Sequence, residues 1–310
     1  MSTRRRFVAT TAAAAVSLAA TTRTFAQSET KDHAKGAEMT TTSPRSGYAP
    51  VNGLRMYYEV HGAQHPGTPL VLLHGAFSAI GTSFGKVLPG LAETRPVIGV
   101  ELQAHGRTAD IDRPLRVELL AEDVAAFLRH LNLERADLFG YSLGGAVALR
   151  LALTHPQLVR KQVLASIATT REGVHPGLFE GLGEITPEMM VGSPWHDEYV
   201  RIAPHPAHFP VLFAKKAELD RETRDVPDEA FRTVAAPTLL VIGDSDIVRP
   251  EHAVHLFRLL GGGVIGDLAG LPTSQLAILP GTTHATLPDR PELLLPALIR
   301  FLDAPMPPAA

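Results

Sequence analysis

Chemically capable side chains recur in this chain at the ends of short apolar runs. Ser142 sits in Gly140-Tyr141-Ser142-Leu143-Gly144, directly after the apolar run Ala136–Phe139 and directly before an apolar helical pattern, Ala146 to His155. That arrangement places a serine on a sharp strand-to-helix turn, with small residues two positions either side so that strand and helix can pass closely. An alcohol is a weak nucleophile at neutral pH and needs a base to take its proton, with a further group to orient that base. Histidine and aspartate are available at other run ends: His74 after Pro69–Leu73, Asp244 and Asp246 after Pro237–Ile242, and His284 after Gln275–Leu279. The chemistry these types could do together is nucleophilic acyl transfer.

The elements that must position them follow from the pattern. Tyr48–Val51 and Leu54–Val60 flank Asn52-Gly53 and predict a hairpin. Continuous apolar runs at Pro69–Leu73, Pro96–Leu102, Ala136–Phe139 and Lys161–Ile167 suit strands covered on both faces. Between them, Phe84–Leu91 and Val117–Leu131 have helical periodicity. This alternation predicts an α/β fold with a mostly parallel, doubly wound sheet. The rhythm stops from Ala168 to Arg232, a stretch too long for a loop. Helical pieces there (Pro176–Leu182, Pro187–Val191, His208–Leu219) predict an inserted helical cap over about residues 168–232. Strands at Pro237–Ile242 and Gln275–Leu279 and helices at Pro250–Leu260 and Pro291–Leu302 complete the chain. In such sheets, ligands and catalytic groups collect beyond the carboxyl ends of the strands.

Composition narrows the function classes. The 310 residues are 45% hydrophobic and 20% charged, ordinary for a globular enzyme, with a formal net charge of −3. Residues 1–26 hold four arginines and no acid; without them 25 basic face 32 acidic residues, a net of −7. That balance argues against nucleic acid or an anionic membrane surface as partner. The chain has no cysteine, which removes disulfides, thiolate nucleophiles and cysteine metal sites. Arg4-Arg5-Arg6-Phe7-Val8, the alanine-rich run to Ala20 and Thr24-Phe25-Ala26 resemble a twin-arginine export signal. The expectation is cleavage after Ala26, a periplasmic or secreted protein, and no membrane insertion once the signal is removed. Residues 27–47 read as a flexible leader to a domain spanning 48–310.

The order Ser142, Asp246, His284 at successive strand ends, with His74-Gly75-Ala76 upstream, resembles the α/β-hydrolase fold family in its capped, carboxylesterase-like branch, from about Tyr48 to the C-terminus. The resemblance implies Ser142 as nucleophile, His284 as general base and then acid, and Asp246 as the orienting acid, with Asp244 shaping the turn. It implies an oxyanion hole from the backbone N–H groups of Ala76 and Leu143, and assigns His74 a bracing role. The implied reaction is hydrolysis of a small-molecule carboxylic ester through an acyl-enzyme, without cofactor or metal. Lactones (acyl-homoserine lactones among them), C–C bonds, peracid formation of the haloperoxidase-like perhydrolases and diesters stay open as alternatives, as does a non-catalytic binding module on the same fold. Serine at position 142 excludes relatives with an aspartate nucleophile. Phe77, Tyr141, Trp195, Phe209 and Phe213, with Met189 and Met190, are the expected walls of the substrate pocket. His205 and His208 have a metal-compatible spacing but no clear third ligand. In the loop 101–108, Glu101 and Ala104 stand where the family has aspartate and glycine.

Overall fold

A computed structural model describes residues 44–307; the expected export signal and most of the leader lie outside the described residues. One eight-stranded sheet runs through the domain in the order β1-β2-β4-β3-β5-β6-β7-β8. Its strands are β1 (Arg45–Val51), β2 (Leu54–His61), β3 (Leu70–Leu73), β4 (Val97–Val100), β5 (Ala136–Tyr141), β6 (Val159–Ala165), β7 (Thr238–Ser245) and β8 (Gln275–Thr283). Only β1–β2 and β2–β4 pair antiparallel; every other pair is parallel. The β1–β2 turn is made by Asn52 and Gly53 with φ of 48° and 85°, the left-handed pair that matches strand twist.

Alternation along the strands divides the core between the two sheet faces. Val71 and Leu73 of β3 pack with Leu138, Leu164 and Leu240 on one side. Leu70 and Leu72 pack with Phe139, Val163 and Val241 on the other. The first face is covered by α3 (Val117–His130) and α4 (Leu143–Thr154), the helix that follows β5. The second is covered by α1 (Ile80–Phe84), α2 (Leu88–Ala92) and the C-terminal α11 (Pro291–Asp303). Lys161, 1% exposed on β6, donates its Nζ to the carbonyls of Phe301 (2.9 Å), Leu302 (3.0 Å) and Ala304, satisfying the orphan acceptors at the end of α11.

Between β6 and β7 the chain leaves the sheet. It forms α5 (Leu178–Gly183), α6 (Pro194–Ile202), α7 (Phe209–Glu222) and α8 (Asp228–Arg232), joined by short 3-10 turns. The expected pieces are there, and α6 and α8 are additional: α6 is capped by the Ser193 hydroxyl, which accepts the His196 N–H, with Pro194 at its first position. The root of the insertion is tied to the loop after β7 by an isolated bridge between Val174 and Val248 and by the Arg249 N–H on the Gly173 carbonyl. Beyond β7 lie α9 (Pro250–Leu259) and the short α10 (Gly266–Ala269).

In the loop after β4 two residues depart from the pattern that the sequence resembles. Ala104 has φ of 64°, a conformation that ordinarily selects glycine. The fully buried Glu101 carboxylate pairs with the Arg107 guanidinium at 2.7 Å and accepts the Arg107 N–H. Burial outweighs these partners and pushes its pKa up to about 7. A carboxyl that holds its proton more tightly folded than unfolded stabilises the fold below its ordinary pKa and loses that contribution as pH rises through the folded value. Stability therefore falls between roughly pH 4.5 and 7, and Glu101→Gln flattens that slope in denaturation curves taken across this range.

Candidate active site

The strand order reverses direction on either side of β3, so the crevice between the carboxyl ends of β3 and β5 is the natural place for a ligand. His74-Gly75-Ala76 leaves β3 there and Ser142 leaves β5. Ser142 has φ of 53° and ψ of −115°, a strained conformation for a non-glycine residue, held by its N–H on the Ala165 carbonyl at 2.9 Å. The glycines beside it are dictated by contact: a Cβ on Gly144 would land on the Leu73 carbonyl, and one on Gly140 on the Gly144 carbonyl. The turn leaves the first N–H groups of α4 pointing at the crevice with the positive end of the helix dipole.

His284 follows β8 and brings its imidazole to Ser142, with Nε2 at 3.1 Å from Oγ. Its Nδ1 lies 2.9 Å from Oδ1 of Asp246, which is 4% exposed. The Asp246 carboxylate is saturated: Oδ1 also accepts the Val248 N–H (3.2 Å), and Oδ2 accepts the Ser166 hydroxyl (2.5 Å) and the Gly243 N–H (3.3 Å). Burial alone would raise its pKa; the imidazole of His284 and these donors outweigh burial and hold it below the usual carboxylate range. Asp244, two residues earlier, points elsewhere. Its oxygens accept the N–H groups of Gly281 (2.9 Å) and Thr282 (3.1 Å), tying β7 to the turn that precedes His284.

His74 is completely buried, with Nδ1 on the Gly75 carbonyl (2.8 Å) and Nε2 accepting the Leu102 N–H (3.0 Å). Burial drives its pKa down to about 4, so it is a neutral brace between two loops. His105, 5.0 Å away ring to ring, is driven down to about 3 by burial and by His74. Ala76 and Leu143 line one cavity of about 970 Å³ together with Ser142 and His284. Neither N–H has a protein acceptor among the described residues.

Two residues of this site carry no obvious sequence signal. Ser166 follows β6 with φ of 54°, and that backbone turn is what aims its hydroxyl at Asp246. Tyr141 was expected in the pocket wall; instead its hydroxyl donates to the His284 carbonyl at 2.7 Å and its ring lies 5.3 Å from the imidazole, positioning the His284 loop. The other expected wall residues do not border the cavity. Phe77 stacks on Phe213 at 5.3 Å and lies 6.0 Å from Phe209, which is 2% exposed, so these aromatics join the loop after β3 to the insertion. Trp195 is half-buried on α6, and Met189 is 68% exposed. The walls are supplied by Leu143, Ala146, Leu149 and Leu153 of α4, and by Leu178 and Leu219 of the insertion. His205 and His208 stack at 5.0 Å, and among the described residues no group of three or more potential ligands gathers around a metal-sized space.

Comparison with known proteins agrees with this architecture. Residues 68–236 match the family model described as alpha/beta hydrolase fold. An uncharacterized hydrolase of Bacillus subtilis (strain 168), YugF, is 27% identical over 278 residues, covering 81% of this chain and 96% of the relative. Among solved structures, the enol-lactonase from Burkholderia xenovorans LB400 superposes with a TM-score of 0.64 at 17% identity, over 83% of this chain and all (100%) of that one. A thermophilic esterase from Thermogutta terrifontis superposes with a TM-score of 0.62 at 21% identity, over 84% and 98%. At those identities the superpositions carry the fold alone. With more than half of its length matched by the family model and the sheet order, turn and strand-end residues in place, the chain belongs to the α/β-hydrolase fold family.

Proposed function

We propose that the protein is a serine hydrolase that cleaves carboxylic esters through an acyl-enzyme. The observation that carries this reading is the unbroken line from Ser142 Oγ through His284 to Asp246, at 3.1 and 2.9 Å. Ser142 Oγ attacks the ester carbonyl carbon as His284 Nε2 takes the hydroxyl proton. The carbonyl oxygen becomes an oxyanion facing the N–H groups of Ala76 and Leu143, at the start of α4. Collapse breaks the bond to the alcohol oxygen, which leaves with the proton from His284. Water then attacks the acyl-serine: it gives a proton to Nε2 as its oxygen joins the acyl carbon, and collapse breaks the bond from that carbon to Ser142 Oγ, which takes the proton back from His284 as the carboxylic acid leaves. Asp246 supports each step by fixing the Nδ1–H tautomer and offsetting the transient charge on the ring.

Ser166 strengthens this arrangement by holding the second carboxylate oxygen. Ser166→Ala removes one of the four donors without disturbing the imidazole contact, and an expected loss of about tenfold in kcat with KM unchanged follows from a single hydrogen bond of about 1.5 kcal/mol to a charged group. A kcat equal to that of the parent would make the contact a structural one only. The assay that tests the whole reading is hydrolysis of short and medium p-nitrophenyl esters by the full chain. Rapid turnover supports it; a folded protein that turns over lactones or forms peracids but leaves these esters intact redirects the same catalytic groups to another acyl donor.

A further inference from the structure

The cavity beside Ser142 is larger than a short-chain ester needs, and its lining is uneven. Leu143, Ala146, Leu149 and Leu153 recur at helical spacing, forming a stripe down α4 that starts beside the nucleophile. Ten residues of helix extend that wall by about 15 Å. Leu178 and Leu219 close it from the insertion. The apolar side of the cavity therefore starts beside the reacting serine and follows α4, a trough that accepts an unbranched apolar chain.

Charge gathers along the same cavity. Its acidic side chains are already engaged: Glu118 with Arg150, Asp220 with Lys216, and Glu222 with Arg116. Asp225 accepts the backbone N–H of Arg171 at 3.0 Å. Arg171, Arg221 and Arg224 border the cavity with no carboxylate partner among the described residues. Arg171 is solvent-exposed and rests on neighbouring groups of the insertion. Its guanidinium lies 4.0 Å over the Phe179 ring, itself a lining residue, and reaches the Asp220 carbonyl at 3.4 Å. In a chain of net negative charge this is an exposed cation, without a carboxylate partner among the described residues, that borders the same cavity.

We infer that the substrate is an ester whose acyl part is an apolar chain ending in a carboxylate, with Arg171 as the residue that selects the anionic end. This rests on the proposed ester cleavage at Ser142. Guanidinium and carboxylate are planar and pair through two parallel hydrogen bonds, so Arg171 can register the chain end as well as attract it. Apolar contact along α4 sets chain length, each added methylene raising kcat/KM by up to about fourfold until the trough is filled.

The test compares the native chain, Arg171→Gln and Arg171→Lys on two probes of equal length, p-nitrophenyl octanoate and the mono-p-nitrophenyl ester of suberic acid. The expected result is a loss of roughly fivefold in kcat/KM for the suberate ester in Arg171→Gln, carried by KM and shrinking with added salt. Octanoate turnover stays unchanged, and Arg171→Lys recovers most of the difference. Equal effects on both esters, or none on either, overturn the inference. A binding arm separates it from the chemistry: suberic acid monoamide and octanamide are titrated calorimetrically into Ser142→Ala with and without Arg171→Gln. Arg171-dependent binding of the monoamide alone supports anion recognition even where neither ester is turned over, in which case ester cleavage is what fails; indistinguishable binding overturns the recognition itself.

Discussion

Ser142→Ala lowers kcat by up to about a millionfold, the order expected when a triad nucleophile is removed. The substitution deletes one oxygen and keeps Cβ, so the strained turn, the N–H on the Ala165 carbonyl and the start of α4 all persist. Circular dichroism and the melting temperature stay close to those of the parent, and KM for p-nitrophenyl esters changes little because loss of one oxygen leaves the apolar residues that line the cavity in place. What is lost is the atom that becomes covalently bonded. The residual rate comes from the backbone donors of Ala76 and Leu143 acting on water attack.

Asp246→Asn lowers kcat by about ten-thousandfold, whereas Asp244→Asn lowers it less than tenfold. The contrast follows from what each carboxylate holds. An asparagine at position 246 can turn its NH2 toward His284 Nδ1, leaving Nε2 protonated and unable to accept the Ser142 proton. It also halves the acceptors available to Ser166, Gly243 and Val248, so a modest loss of stability accompanies the loss of rate. Asp244 accepts two backbone N–H groups near the end of β8 and the Ser245 hydroxyl, and an amide oxygen keeps part of that contact. The lowered pKa of Asp246 adds a pH statement: this carboxylate stays ionised through the ordinary carboxylate range, and the stability it contributes is lost only as pH falls through its depressed value. Asp246→Asn therefore flattens the dependence of stability on pH at the acid extreme. A larger kcat effect at Asp244 would move the orienting acid there.

The parts of the molecule that short-range patterns dictate were legible in the sequence. Continuous apolar runs gave β3, β4 and β5 to within a residue or two, because strands buried on both faces admit little else. The Asn52-Gly53 turn and the Gly140–Gly144 spacing encode backbone conformations directly. The geometry around Asp246 separates it from Asp244, which spacing alone leaves close. Less legible were contacts made across the fold. Ser166 has no local pattern marking it, since its role comes from a left-handed turn after β6 meeting a loop eighty residues later. The pocket walls were misread for a related reason. Phe77 and the insertion's Phe209 and Phe213 look like walls by type but pack on one another, while the apolar residues of α4 border the cavity. Helical period shows which residues share a face, not what lies opposite that face.

The central claim is that Ser142 carries the acyl group between the two halves of the reaction. The direct measurement is rapid acid quench of the full chain mixed with p-nitrophenyl octanoate, followed by intact-mass and peptide mass spectrometry. The expected result is a transient mass increase of one octanoyl group, located on the peptide containing Ser142 and absent from Ser142→Ala. Steady turnover with the acyl group on another residue, or an adduct that survives in Ser142→Ala, would contradict it.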